Sequence, residues 1–168
     1  MLGQELARRG VRLVFGGGRV GLMGTVADAV IAGGGEVVGV IPGHLYDREV
    51  GHTGLSALHV VANMHERKQM MFDLADAFAI LPGGIGTLDE AFEILSWRQL
   101  DLHRKPVVLF DEDGYWGPFR ALVRQVVDQG FADQSAYDHF VVANSVEGLF
   151  AAIDAAHDPG IDARPELL

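Results

Sequence analysis

The sequence has no cysteine, so neither a disulfide nor a thiolate site is available to it. That fits a reducing compartment. It has no apolar run near the about 20 residues that a membrane span requires. Its start, Met1-Leu2-Gly3-Gln4-Glu5, lacks the basic and apolar blocks of a signal peptide, so a cytoplasmic address is expected. Basic residues are scarce: 13 Lys and Arg stand against 23 Asp and Glu, a formal net charge of −10. A chain this acidic is a poor partner for nucleic acid or an anionic membrane, although single basic residues can still serve one phosphate. The seven histidines show no H-x-x-x-H or H-E-x-x-H spacing, so no metal site is expected. Ser56, Ser96, Ser135 and Ser145 lack a nucleophile-elbow context. No G-K-[ST] follows either glycine loop, which argues against a nucleoside-triphosphate P-loop.

What is present is a regular alternation. With 168 residues and 49% apolar content, one domain with a core of useful size is expected, spanning 1–157 and followed by a loose tail at 158–168. Apolar runs at 11–15, 36–41, 58–62, 77–81, 106–110 and 140–142 read as strands. Helical patterns cover 2–9, 25–31, 64–75, 88–100, 115–129 and 145–156, and 44–56 reads as a loop. Continuous apolar runs between helices indicate a parallel sheet covered on both faces, hence a doubly wound, Rossmann-like α/β fold. Ligands in such folds sit outside the carboxyl ends of the strands, where both glycine loops fall.

The first loop, Gly16-Gly17-Gly18-Arg19-Val20-Gly21, matches G-x-G-x-x-G between a strand and a helix. A dinucleotide site also needs an acid at the end of the next strand, and that strand ends Val40-Ile41-Pro42. Two readings remain: a tight strand-to-helix turn, or a cradle for a mononucleotide or sugar phosphate at Gly17 and Gly18, with Arg19 as counter-charge. The second loop, Pro82-Gly83-Gly84-Ile85-Gly86-Thr87-Leu88-Asp89-Glu90, presents backbone N–H groups at a helix start, an arrangement suited to an anion. Thr87 and Glu90 also have the spacing of a capping box, with Thr at the N-cap. Glu90 is thus either a cap or a carboxylate placed beside a bound sugar phosphate, where it would suit an oxocarbenium-like transition state. Thr25-Val26-Ala27-Asp28 has the same spacing, and there a cap is expected.

Asn63 and Glu66 form another capping-box pattern ahead of Arg67 and Lys68. These two cations fall in the same helical stripe as Met64 and Met71. They either snorkel from its edge or, for Arg67, reach a ligand at the glycine loops. On the 88–100 helix, Leu88, Ala91, Phe92, Leu95 and Leu102 make one apolar stripe, and Ile94 and Trp97 a second. A second stripe suggests a partner subunit, so a homodimer is expected. Tyr115, Trp97 and Trp116 read as packing groups.

Taken in order, Gly16-Gly17-Gly18 with Val20-Gly21-Leu22-Met23-Gly24, then Met64-His65-Glu66-Arg67-Lys68, then Pro82 to Glu90, closely resemble the lonely-guy family, over about Leu2 to Phe131. Its members are cytokinin riboside 5′-monophosphate phosphoribohydrolases and relatives acting on AMP, long labelled lysine decarboxylases. The resemblance implies hydrolysis of the N-glycosidic bond of an adenine-type nucleoside 5′-monophosphate, a homodimer and no cofactor. It implies that Gly83, Gly84, Gly86 and Thr87 hold the phosphate, that Arg67 and Glu90 are the catalytic pair, and that Lys68 and Glu49 contact the nucleotide. Ser96 stands where the family usually has Thr. Family members open with a strand and a Gly-Ser-Ser-type loop ahead of the helix at 2–9, so this sequence is expected to begin late. A non-catalytic nucleotide-binding protein on the same fold is the rival reading. A pyridoxal-phosphate decarboxylase would need a Schiff-base lysine, and only Lys68 and Lys105 exist.

Overall fold

The computed structural model describes residues 1–46 and 54–156. The chain divides into two compact units, Met1–Ala75 and Asp76–Leu168.

In the first unit the order is α1 (Leu2–Arg8), β1 (Leu13–Phe15), α2 (Gly21–Ala32), β2 (Val37–Pro42), α3 (Gly43–Tyr46), β3 (Ala57–Val61) and α4 (Met64–Leu74). β2 is central and parallel to both neighbours, with Leu13 opposite Val37 and Val38 opposite Ala57. All of its residues are buried, which accounts for the uninterrupted apolar run Val37-Val38-Gly39-Val40-Ile41. Phe15, Ala27, Val30 and Val37 form the core, with Leu6, Ala7, Leu13 and Met23 packed around them.

In the second unit the order is β4 (Phe78–Ile80), α5 (Ile85–Gln99), β5 (Val107–Phe110), α6 (Gly117–Asp128), a 3-10 turn (Gln134–His139), β6 (Val141–Ala143) and α7 (Val146–Ala156). Here β5 is the buried centre, parallel to β4 and β6. Leu109, Trp116 and Phe119 make the core, closed by Ile80, Leu88, Leu95 and Phe140. Leu88, Ala91 and Leu95 thus occupy the inner face of α5 as the spacing predicts, whereas Phe92 of the same stripe is 40% exposed and Leu102 lies past the helix end and is exposed.

The parallel α/β architecture agrees with the sequence pattern. Its strands pair as two three-stranded sheets, β1-β2-β3 and β4-β5-β6. Two helix starts differ from expectation, and both differences bear on the site. α2 begins at Gly21 rather than Thr25, and α5 at Ile85 rather than Leu88. In both cases glycines that read as turn residues sit inside the first helical turn. A Cβ on Gly24 would lie 2.1 Å from the Arg19 carbonyl oxygen, so close packing at the helix entry takes a residue with no side chain. Among the described residues no helix is long and apolar enough to cross a membrane.

Candidate active site

The loop after β4 runs through Leu81, Pro82 and Gly83 to Gly84, which is the N-cap of α5 in an extended conformation (φ −85°, ψ −162°). Gly84 has no side chain with which to cap, and the first turn of α5 contains no acid. The leading N–H groups of a helix have no intrahelical acceptor, and its positive end favours an anion. Three glycines here have different physical reasons. A Cβ on Gly83 would meet Thr87 Oγ1 at 2.1 Å, so the Thr87 side chain folds back over Gly83. Gly84 and Gly86 have nothing within 4 Å of a Cβ position, and neither has a left-handed φ. Neither packing nor backbone conformation requires glycine at 84 or 86. What glycine provides there is room for something outside the chain to approach the backbone.

This placement corrects the capping-box reading of Glu90. Thr87 is the third residue of α5 and Glu90 the sixth, so Thr87 is not an N-cap and Glu90 is not positioned to complete a box. Glu90 is half-buried in the second turn, and Asp89 beside it is exposed. Asp28 is corrected likewise: α2 starts four residues before Thr25, whose hydroxyl donates to the Gly21 carbonyl at 3.1 Å within the helix.

In the first unit, Gly16-Gly17-Gly18-Arg19-Val20-Gly21 does join a strand to a helix. Gly17 is left-handed (φ +77°), and its Cβ would press on Ile41 and Leu58 at 3.2 Å, so the fold itself needs glycine there. Gly18 is buried and Arg19 exposed. Arg67 is the fourth residue of α4 and is buried, 7% exposed. It does not snorkel. Its Nη2 donates to the Gly16 carbonyl at 3.0 Å, and Nη1 lies 3.8 Å from Met64 Sδ. The helix beneath it is capped as the sequence predicts at Asn63, whose Oδ1 accepts the Glu66 N–H at 3.0 Å. The Glu66 carboxylate, however, reaches back to the N–H of Ala62 at 2.9 Å, one residue beyond the usual box partner. Lys68 is half-buried next to Arg67.

Ser96 is not brought to the Gly83 loop. It lies nine positions beyond Thr87 on α5, roughly 13–14 Å along the axis at about 1.5 Å per residue. Its hydroxyl donates to the Phe92 carbonyl at 2.7 Å. It lines an apolar groove of about 210 Å³ with Phe92, Leu95, Leu122, Val123 and Phe140. Glu49 falls outside the described residues, as does the tail from Asp158. The sequence reading missed Tyr115. Its ring packs edge-on against Trp116, but the residue is 45% exposed and its hydroxyl donates to the Gly83 carbonyl. Trp116 is the packing group that was expected, fully buried.

The family model described as "Possible lysine decarboxylase" matches residues 23–153. A cytokinin riboside 5′-monophosphate phosphoribohydrolase of Rhodococcoides fascians is 46% identical over 153 residues, covering 90% of this chain and 77% of that protein. The enzyme of the same name from Oryza sativa subsp. japonica, LOG, is 48% identical over 153 residues, covering 91% of this chain and 63% of its own length. The chain belongs to the lonely-guy family. One from Arabidopsis thaliana is 44% identical over 161 residues, covering 96% of this chain and 74% of the relative.

Solved structures add the fold alone. The molybdenum cofactor carrier protein of Chlamydomonas reinhardtii superposes with a TM-score of 0.67 at 21% identity, covering 92% of this chain and 82% of its own. The molybdenum cofactor binding protein of Rippkaea orientalis gives 0.64 at 21%, with the same coverage. The lonely-guy chain therefore shares an α/β architecture with these molybdenum cofactor proteins, and that likeness by itself assigns it no ligand.

Proposed function

We propose that this lonely-guy protein hydrolyses the N-glycosidic bond of adenine-type nucleoside 5′-monophosphates, cytokinin riboside 5′-monophosphate or AMP, to free base and ribose 5-phosphate. The observation that carries the reading is the pair Gly84 and Gly86, glycine where neither packing nor backbone conformation asks for it, at the uncapped start of α5. The relatives, named for this activity, supply the reaction.

In this reading the first-turn N–H groups of α5, with Gly83, Gly84, Gly86 and Thr87, take the 5′-phosphate. Departure of the base leaves positive charge on the ribose ring. Glu90 either stabilises that charge or orients and deprotonates the water that adds to the anomeric carbon. The C–N bond breaks, a C–O bond to water forms, and the base nitrogen takes up a proton. Arg67, fixed by Gly16, positions the nucleotide and favours departure of the base, with Lys68 and Glu49 assigned to nucleotide contacts. Gly17, Gly18 and Arg19 are assigned to the same ligand, and Ser96 to a substrate contact away from the phosphate.

A decarboxylase working through a Schiff base is disfavoured for Lys68 by its assignment to the nucleotide and for Lys105 by position. Lys105 precedes β5, at the amino end of its sheet, whereas the Gly83 loop leaves the carboxyl end of β4. We also assign a homodimer to this protein, supported by exposed Phe92, Leu122 and Val126 on α5 and α6, and read by sedimentation.

The test is incubation with AMP and with isopentenyl-AMP, measuring adenine or isopentenyladenine released. Glu90→Gln should abolish release while nucleotide still binds. Binding without release in the unaltered protein would favour a nucleotide sensor.

A further inference from the structure

Tyr115 stands on an anchored turn. Trp116 is fully buried, donates its indole N–H to the Phe110 carbonyl at 3.1 Å and its backbone N–H to Asp111 Oδ1 at 3.3 Å. Gly114 is left-handed (φ +78°), and its carbonyl accepts the Gly117 N–H at 3.2 Å. The residue between these fixed points therefore has little freedom, and the Trp116 ring, 5.1 Å away and at 89°, backs its side chain. From there the Tyr115 hydroxyl reaches the Gly83 carbonyl, 32 residues earlier in the chain.

An exposed hydroxyl is readily satisfied by water, so folding does not require this bond. Its consequence is geometric. A trans peptide is planar, and its C=O and N–H point in opposite directions. A donor held on the Gly83 oxygen therefore fixes the direction of the Gly84 N–H and aims it away from Tyr115. Gly84 is the N-cap of α5, so that N–H belongs to the set left without an intrahelical acceptor. Gly83 is gripped on its other side by Thr87, which occupies the space a Cβ would take. A loop of Pro82, Gly83 and Gly84 would otherwise have to be ordered by the ligand, at a cost in affinity.

We propose that Tyr115 is a positioning residue for the phosphate site: its hydroxyl pre-aims the Gly84 N–H at the 5′-phosphate. This rests on the reading of the Gly83 loop as a phosphate cradle. Tyr115→Phe keeps the ring and its packing and removes only the donor. With AMP as substrate, KM should rise about five- to tenfold, the scale of one hydrogen bond, with kcat within about twofold. Inorganic phosphate, read as a competitive inhibitor and by ³¹P NMR titration, should weaken by the same factor, while Tm stays within about 2 °C. Unchanged phosphate affinity in Tyr115→Phe, or a fall in kcat alone, would overturn the positioning role. Should the unaltered protein bind phosphate yet cleave neither AMP nor isopentenyl-AMP, the hydrolase reading fails, and the phosphate titration still decides the role of Tyr115. If the unaltered protein binds no phosphate, the cradle and this role fall together.

Discussion

Arg67 donates to the Gly16 carbonyl at 3.0 Å, and the same nitrogen lies 1.8 Å from where a Cβ on residue 16 would stand. The absence of a side chain at 16 is therefore what lets the guanidinium lie where it does. Gly16→Ala should displace Arg67 without straining the backbone, since Gly16 is not left-handed. We expect kcat/KM for AMP to fall at least tenfold with a stability loss of about 1–2 kcal/mol. In an Arg67→Lys background the same change should cost much less, because its main target is already gone. Additive losses in that double-mutant cycle would separate Gly16 from Arg67.

The three glycines at the start of α5 should respond differently. Gly83→Ala collides with Thr87 at 2.1 and 2.8 Å, so both Tm and phosphate affinity should drop. Gly84→Ala meets open space and should leave Tm nearly unchanged while raising KM. Gly86→Ala sits in the first turn of α5 with nothing near its Cβ, and alanine is the better helix former, so Tm should hold or rise slightly as KM worsens. Thermal melts beside AMP kinetics check all three. A Gly86→Ala protein with unaltered KM would remove the ligand from the explanation of that glycine.

The parallel α/β pattern was legible because β2 and β5 are buried throughout, which leaves short apolar runs between turn residues, whereas the order of the strands was not read. Arg67 was partly legible, since its place in a stripe with Met64 and Met71 already put a cation against apolar neighbours. The helix starts were not. Glycine reads as a breaker, and Gly24 and Gly86 serve instead as helical residues, the first at a close approach and the second in open space, whereas Gly21 is left-handed (φ +69°) at the start of α2. That shift of three residues turned Thr87 and Glu90 into an apparent capping box. The Tyr115 bond to Gly83 had no local signal, because it is made by folding across 32 residues rather than by any periodicity.

His139 gives the second unit a pH response. Burial, and then the nearby Arg98 charge, hold its imidazole below its ordinary value, with His103 acting the same way and Asp138 and Asp101 opposing. The unfolded chain thus takes up a proton before the folded one as pH falls. Stability from this group is complete above the ordinary value of 6.5 and is lost as pH falls from there through the lower value of the folded state. Urea midpoints should fall from pH 7.5 to 5.5, and His139→Gln should flatten that decline. An unchanged slope would assign the acid response to other groups.

Asn63 links helix stability to the proposed chemistry. Its side chain accepts the Glu66 N–H at 3.0 Å, its Nδ2 donates to Glu66 Oε1 at 3.0 Å, and Arg67 follows at once in α4. Asn63→Ala removes the cap, at a cost of about 1 kcal/mol, and frays the turn from which Arg67 reaches Gly16. Activity should therefore fall together with stability, whereas a distant substitution of equal cost should lower Tm alone. Asn63→Ser keeps an acceptor of similar capping strength and should restore most of both. If Asn63→Ala lowers Tm and leaves kcat/KM for AMP intact, the bond from Arg67 to Gly16 is held by its buried surroundings rather than by the helix start.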